Sequence, residues 1–488
     1  MTLLRKLLFY IFLGIYLVGC PLTVLYALGY LFRPGAEQGI VKTGLIYLSS
    51  SPPGASIYVG KRRYTKKTPV LLQDLLPGDY AIRLSLQGYQ PWVRTVPVEA
   101  EKATVLERVL LLPEPLEGRA VVSEAFRELI PIPKSDTFLL STGPTLADMV
   151  VYNWKEAQVR PLLPAGSVFQ EAKLSSVMAV EESAAALLRV DMDWKTRFLW
   201  VELKGKEPSM EDLTDLFVEP PVDVEWDPRD QRHLFAFHNG QLSRLDVVSK
   251  AIYPNFLERV RGYGLANRSL YVLDQDYRLR RTTTEGREEE VLLSDPVLGR
   301  FLFGDRGLFK IRPFSKDVLL FLGERGELLS NRLPYRLVEK GVLGLEISPR
   351  RERVLVWRRD RLGVLDFSER QKEEGVFERG PELFWVYKEG RNITQAFWVF
   401  DGSHILFRDE DQIFLLELET YGPPSLHELV RSKRKSPVCY SEEAGTLFYL
   451  DRDTAALSAL TLLPKRELLS LPIPVRLEER RRGEIQAQ

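Results

Sequence analysis

Six segments of the 488-residue chain align over seventeen residues without a gap, beginning at His233, Ser269, Val318, Arg353, His404 and Thr446. Each holds four or five mostly apolar residues, a short polar turn and a second apolar run. One copy reads His404-Ile405-Leu406-Phe407, Arg408-Asp409-Glu410-Asp411, then Gln412-Ile413-Phe414-Leu415-Leu416-Glu417. Another short strand precedes most copies, as in Val224-Glu225-Trp226, Leu345-Glu346-Ile347, Gln395-Ala396-Phe397-Trp398 and Val438-Cys439-Tyr440. Two fainter copies fit around 139–153 and 185–203. The starts lie 36, 49, 35, 51 and 42 residues apart. That period suits four-stranded radial units and exceeds a leucine-rich repeat, while the strand-turn-strand pattern excludes helical arrays. One such unit cannot bury both faces of its sheet, whereas a closed ring of them can. The expectation is an all-β chain whose residues 114–477 form a β-propeller of seven or eight blades.

The stretch Trp398-Val399-Phe400-Asp401-Gly402-Ser403-His404-Ile405-Leu406-Phe407 resembles the W-S-P-D-G-x-x-I-A-F repeat of TolB-like, WD-related propellers. Ile347-Ser348-Pro349-Arg350 and Trp226-Asp227-Pro228-Arg229 are weaker copies. The resemblance implies a binding or scaffolding fold and leaves the ligand open.

At the other end of the chain, Leu7 to Phe32 is a run of 26 uncharged, mostly apolar residues between Arg5-Lys6 and Arg33-Pro34-Gly35. About 20 residues cross a bilayer core, so a transmembrane helix at about 7–32 is expected within an anchor of residues 1–42, with Pro21 as a kink. Tyr and Phe near both ends suit the two interfaces. A lipoprotein signal competes, because Leu17-Val18-Gly19-Cys20 resembles a lipobox with Cys20 as the lipidated residue. A buried soluble helix is the third reading. Basic residues flank both ends, so they set orientation weakly; the bulk of the chain is expected outside the cytoplasm, on the periplasmic side of a cell membrane.

Residues 43–113 alternate over short stretches between Gly/Pro turns, which reads as an antiparallel sandwich. Pro52-Pro53-Gly54-Ala55, Ile57-Tyr58-Val59, Thr68-Pro69, Leu75, Pro77-Gly78-Asp79-Tyr80, Gly88-Tyr89 and Trp92 resemble the PEGA domain, a small β-sandwich of surface and extracytoplasmic proteins. The resemblance implies structural roles for Pro52, Gly54, Ala55, Pro69, Gly78, Tyr80, Gly88, Tyr89 and Trp92, and no catalytic ones. Within it, Lys61, Arg62, Arg63, Lys66 and Lys67 crowd one turn. They are candidates for an anionic contact such as lipid headgroups, set against a solvated hairpin tip that discourages edge pairing. Residues 1–113 carry 13 basic and 6 acidic side chains, although the whole chain balances at 67 and 67.

Little chemistry is legible. Zero net charge argues against a dedicated nucleic-acid partner. Two cysteines and four histidines leave scant material for a metal site, and none is expected, nor any cofactor. His233 and His238 stand five apart on one strand and are poor joint ligands. Asp191-Met192-Asp193, Asp274-Gln275-Asp276 and Asp409-Glu410-Asp411 fall at hairpin tips and lack a calcium loop's pattern. There is no Gly-x-Ser-x-Gly, Walker or His-Glu-x-x-His motif. Cys439, Trp226 and Trp398 read as core. Residues 478–488 read as a charged tail. The chain is therefore expected to be a non-enzymatic, membrane-anchored binding or scaffold protein whose partner is a protein or an envelope polymer. A polysaccharide lyase or hydrolase with channel carboxylates, and a lipoprotein subunit of an envelope complex, are the alternatives.

Overall fold

The computed structural model describes residues 3–27, 30–32, 40–164, 166–180, 184–205, 208–304, 307–332, 335–367, 382–418 and 424–463. Helix α1 runs Leu3–Ala27 and continues through Pro21. It stops five residues before the expected end at residue 32: Tyr30–Phe32 is instead a short strand paired with Ile40–Lys42. Gly29 and Pro34-Gly35 flank that strand, and both residue types disfavour continued helix. Among the described residues, no helix is long and apolar enough to cross a membrane. Phe9, Phe12, Ile15, Leu17 and Val18 on α1 are exposed.

The next unit is a sandwich. One sheet orders Val70–Leu75, Gly44–Ser51 and Ala103–Leu110; the other orders Arg62–Lys67, Ser56–Val59, Gly78–Ser85 and Trp92–Val98. Alternating side chains of Gly44–Ser51 are buried, as the pleat requires. Ile46, Leu48, Ile57, Ile82, Leu84 and Val96 form its core, each fully buried.

Beyond it, the described residues form eight four-stranded antiparallel units. Blades 1 to 7 cover 128–161, 173–212, 223–257, 260–294, 309–339, 344–387 and 393–431. Blade 8 takes three strands from 439–461 and its outermost strand, Arg119–Ala125, from the start of the array. Pairing the first strand with the last closes the ring without an exposed sheet edge at the seam. The packing agrees. Eight hydrophobic clusters join consecutive blades: Leu139 with Leu199, Leu187 with Leu234, Phe235 with Val272, Leu273 with Phe321, Leu320 with Val354, Leu355 with Ile405, Leu406 with Leu447, and Leu450 with Phe138 share one each. The last of these spans blade 8 and blade 1.

The six aligned segments open on, or one residue before, the second strand of blades 3 to 8. In these second strands both faces pack on neighbouring blades; all six residues of His404–Asp409 are buried. Such strands therefore read as continuous apolar runs.

Candidate functional site at the rim of the ring

The first strand of each blade lies innermost. Adjacent first strands of blades 4 and 5 even pair directly, in parallel, through Gly262–Phe309 and Tyr263–Lys310. Glycine makes this possible, because a Cβ on Gly264 would sit 1.9 Å from the Ile311 carbonyl oxygen, and one on Gly262 would sit 2.7 Å from that of Phe309. The close approach brings blade 5 within reach of blade 3. Lys310 Nζ lies 2.8 Å from Asp223 Oδ1, and Arg312 lies 2.7 Å from Glu225 Oε1. Between them the fully buried Tyr263 donates its hydroxyl to Asp223 Oδ2 at 2.9 Å. Burial raises the Glu225 carboxyl above its ordinary range against the pull of Arg312. It also lifts the Tyr263 phenol well above its own. The two carboxylates stand two residues apart on one strand, each held by a cation. They are wall ties and do not face each other as an acid–base pair across a sugar.

Connections from each outer strand to the next blade, and the turns between second and third strands, lie at one end of the ring, here the upper end. A cleft of about 680 Å³ opens there over blades 3 to 5. Val222, Val260 and Leu308, which introduce the three inner strands, form part of its lining. Arg261, Arg300, Glu324, Gln275 and Asn239 supply its polar groups. Arg300 comes from helix α2 (Pro296–Phe303), inserted between blades 4 and 5. Asp295 caps that helix by accepting from Leu298 N at 3.1 Å, and Gly304 ends it at φ 62°. Gly299 rests on Tyr277, where a Cβ would come within 2.4 Å of the ring-bearing carbon. Phe303 meets Phe309, Phe321 and Tyr335 edge-on at centroid distances of 4.8, 5.3 and 5.3 Å. Arg300 is thus delivered by a firmly seated element. Exposed apolar side chains collect at the same end: Trp194, Val168, Val218, Val222, Val297 and Phe301.

The lower end carries the sandwich. Trp92 Nε1 donates to both oxygens of Glu417 in blade 7, at 3.1 and 3.2 Å, and Arg94 lies 3.1 Å from the same carboxylate. Arg108 pairs with Asp401 at 2.9 Å. Leu110 and Leu112 enter the core between blades 7 and 8. Burial raises the Glu417 carboxyl despite Trp92 and Arg94. Next to it in the strand ladder, buried His404 is pushed down to about 3, chiefly by desolvation and further by His427. Trp92 was expected to be structural within its own domain; it also fastens that domain to the ring.

Ala55 is fully buried, and its N–H donates to Thr68 Oγ1 at 2.9 Å beside Pro69. Gly54, Gly78 and Gly88 all take positive φ. Tyr80 Oη donates to Leu76 O at 2.8 Å, and Tyr89 bridges to Pro113. The Pro52 carbonyl accepts from the Ser50 hydroxyl, two residues earlier, at 2.7 Å. The basic cluster differs from the expected turn: Arg62, Arg63, Lys66 and Lys67 lie on the edge strand Arg62–Lys67, with Lys61 just before it. Edge position leaves one row of backbone groups unpaired, which suits charged side chains. Arg62 and Arg63 lie over the Tyr64 and Tyr58 rings at 5.2 and 5.9 Å. Cys20 is exposed on α1. Cys439 is half-buried, and burial pushes its thiol up to about 12. His233 and His238 close opposite ends of one strand, and no group of metal-ligating residues occurs among the described residues. The aspartates serve the turns: Asp274 Oδ1 accepts from Asp276 N and Arg278 N, both at 2.9 Å. Residues 464–488, including the charged tail, lie outside the described residues. The rim cleft had no signal in the sequence, because its residues come from six separate loops and strand ends.

A sandwich fastened to a closed ring of blades is the class this geometry defines. Residues 43–111 match the PEGA domain family. No match is found among curated proteins. The chain is similar to the C-terminal WD40 domain of Sif2 (10% identity, 70% of this chain, 98% of that one, TM-score 0.45). It is also similar to Hsv2 of Kluyveromyces lactis (10%, 63% and 99%, 0.39) and to an oligogalacturonate lyase in complex with manganese (12%, 58% and 86%, 0.36). The assignment of a propeller rests on the sheet order and the eight interblade cores.

Proposed function

We propose that the chain is a non-enzymatic, membrane-tethered binding protein acting at an extracytoplasmic surface, whose propeller presents its upper end to a protein partner. The observation that carries this reading is the division of labour between the two ends. The PEGA domain occupies the lower end through Trp92, Arg94 and Glu417, while the upper end holds the cleft and the exposed apolar side chains. Exposed apolar groups gathered on one face mark interaction surfaces. The exposed apolar side chains of α1 call for a lipid environment in the same way, and the basic edge strand adds attraction to anionic headgroups. The channel carboxylates Asp223 and Glu225 are spent on Lys310 and Arg312, which favours scaffold over hydrolase.

The test is two-part. The full chain should pellet with membranes and resist carbonate extraction, and removing residues 1–42 should release it. A photo-crosslinking residue at position 194 should capture a partner in intact cells that one at position 248, on the lower turn of blade 3, does not. Equal capture at both positions would overturn the reading. An intact mass showing cleavage before Cys20 with added acyl chains would replace the helix anchor by a lipid one.

A further inference from the structure

We propose that the rim cleft over blades 3 to 5 is a binding site for an acidic peptide segment bearing apolar side chains; this rests on the reading of the upper end as the partner-binding face. Two arginines define its charge. The Arg261 Nε–H is buried and meets no acceptor among the described residues, and its guanidinium lies 5.3 Å over the Tyr277 ring. That ring packs beneath the guanidinium. Its hydroxyl donates to Gly304 O at 2.9 Å, so the aromatic is itself locked. Arg300 is held by the capped helix α2 and makes no ion pair among the described residues. A fixed, partly desolvated guanidinium is an expensive thing to leave without a carboxylate, and a bidentate acid satisfies it best.

The rest of the lining suits a peptide. Glu324, the one carboxylate of the lining among the described residues, already accepts from Leu308 N at 3.2 Å. Its other oxygen, with the amides of Gln275 and Asn239, can meet backbone N–H and C=O groups. Gly240 and Gly307 keep the floor low, both at positive φ. On the rim, Val297 and Phe301 stand four residues apart on α2, hence on one side of it, and are 82% and 83% exposed. Val218 and Val222 lie at the blade 3 side, 84% and 65% exposed. An acidic saccharide would satisfy the arginines but has no apolar side chains for these four. Tyr277 and Phe237, the aromatics lining the cleft among the described residues, are both buried, so neither offers an open ring face for a sugar to stack on.

The experiment uses the full chain in nanodiscs and fluorescence anisotropy. The probe is a fluorescein-labelled decapeptide alternating Asp-Glu with Leu-Phe pairs. Its comparators carry Lys for the acids or Ser for the apolar residues, and an oligouronate of equal charge serves as competitor. The acidic apolar peptide should bind at least about tenfold more tightly than either comparator, weakening with salt. Arg261→Gln, Arg300→Gln and Phe301→Ser should each weaken it about fivefold or more, while Val248→Ser leaves it unchanged. Binding that ignores all three rim substitutions overturns the assignment. So does an oligouronate that competes as well as the peptide and is indifferent to Phe301→Ser, which would mark an acidic-sugar site. If no peptide binds while crosslinking at position 194 persists, the cleft assignment falls and the reading of the upper end stands.

Discussion

Adding one methyl group at Gly264 should cost more stability than adding it at any other inner-strand position described above. The new Cβ would lie 1.9 Å from the Ile311 oxygen and 2.7 Å from its carbonyl carbon. Ordinary contact begins near 3.4 Å, so the strands must part by about 1.5 Å. No rotamer can absorb this, because the clash is with backbone that is itself paired to Phe321. Overpacking of this kind costs about 1–3 kcal/mol. Separation also strains the parallel pairing at Gly262–Phe309 and Tyr263–Lys310, where each lost hydrogen bond adds about 1 kcal/mol. The expected total is about 3–5 kcal/mol, a large part of a domain's usual margin. Urea unfolding followed by tryptophan fluorescence reads it as a shift in midpoint. Gly262→Ala, whose nearest atom is at 2.7 Å, should shift it less; Gly60→Ala, with open space but φ 56°, should shift it least. A Gly264→Ala protein within about 1 kcal/mol of the parent would refute the close approach of blades 4 and 5.

Stability should also fall on acidification. His404 is held at about 3 against an ordinary 6.5, so its contribution is complete above pH 6.5 and is lost as pH drops toward 3, at up to about 1.4 kcal/mol per unit. His427 is depressed in the same direction, and a His404→Asn protein should show a flatter melting temperature between pH 6.5 and 4.5. Trp92→Phe and Glu417→Gln, alone and combined, should yield a coupling of about 1.5–3 kcal/mol in a double-mutant cycle, read by the rate of proteolysis between the sandwich and the ring. Replacing Lys61, Arg62, Arg63, Lys66 and Lys67 by Ser should abolish salt-sensitive binding of the protein lacking residues 1–42 to vesicles rich in anionic lipid; unchanged binding would remove that strand from any lipid role.

The ring was legible because its second strands are buried on both faces and so repeat as apolar runs. The blade count stayed at seven or eight, since Arg119–Ala125, the strand that completes blade 8, is largely exposed and stands at the opposite end of the array from Ala456–Thr461, with which it pairs. The sandwich announced itself through turn glycines and prolines, whose backbone demands are local. The cleft did not, because Arg261 and Arg300 become neighbours only when two blades close and α2 seats on Tyr277. The Trp92–Glu417 contact was hidden for the same reason, spanning 325 residues. The apolar run to Phe32 misled as to length: composition favoured helix, but backbone pairing with Ile40–Lys42 ended it at Ala27.

The distance between the two ends of the molecule tests the arrangement most directly. Spin labels at Val93 on the sandwich and Trp194 on the upper rim, with Cys20 and Cys439 changed to Ser, report it by double electron–electron resonance on the full chain in nanodiscs; both positions are exposed. A PEGA domain fastened to blade 7 predicts one narrow distance distribution that broadens in Glu417→Ala. A broad distribution in the parent protein would mean a loose tether, with no fixed end for the ring to present.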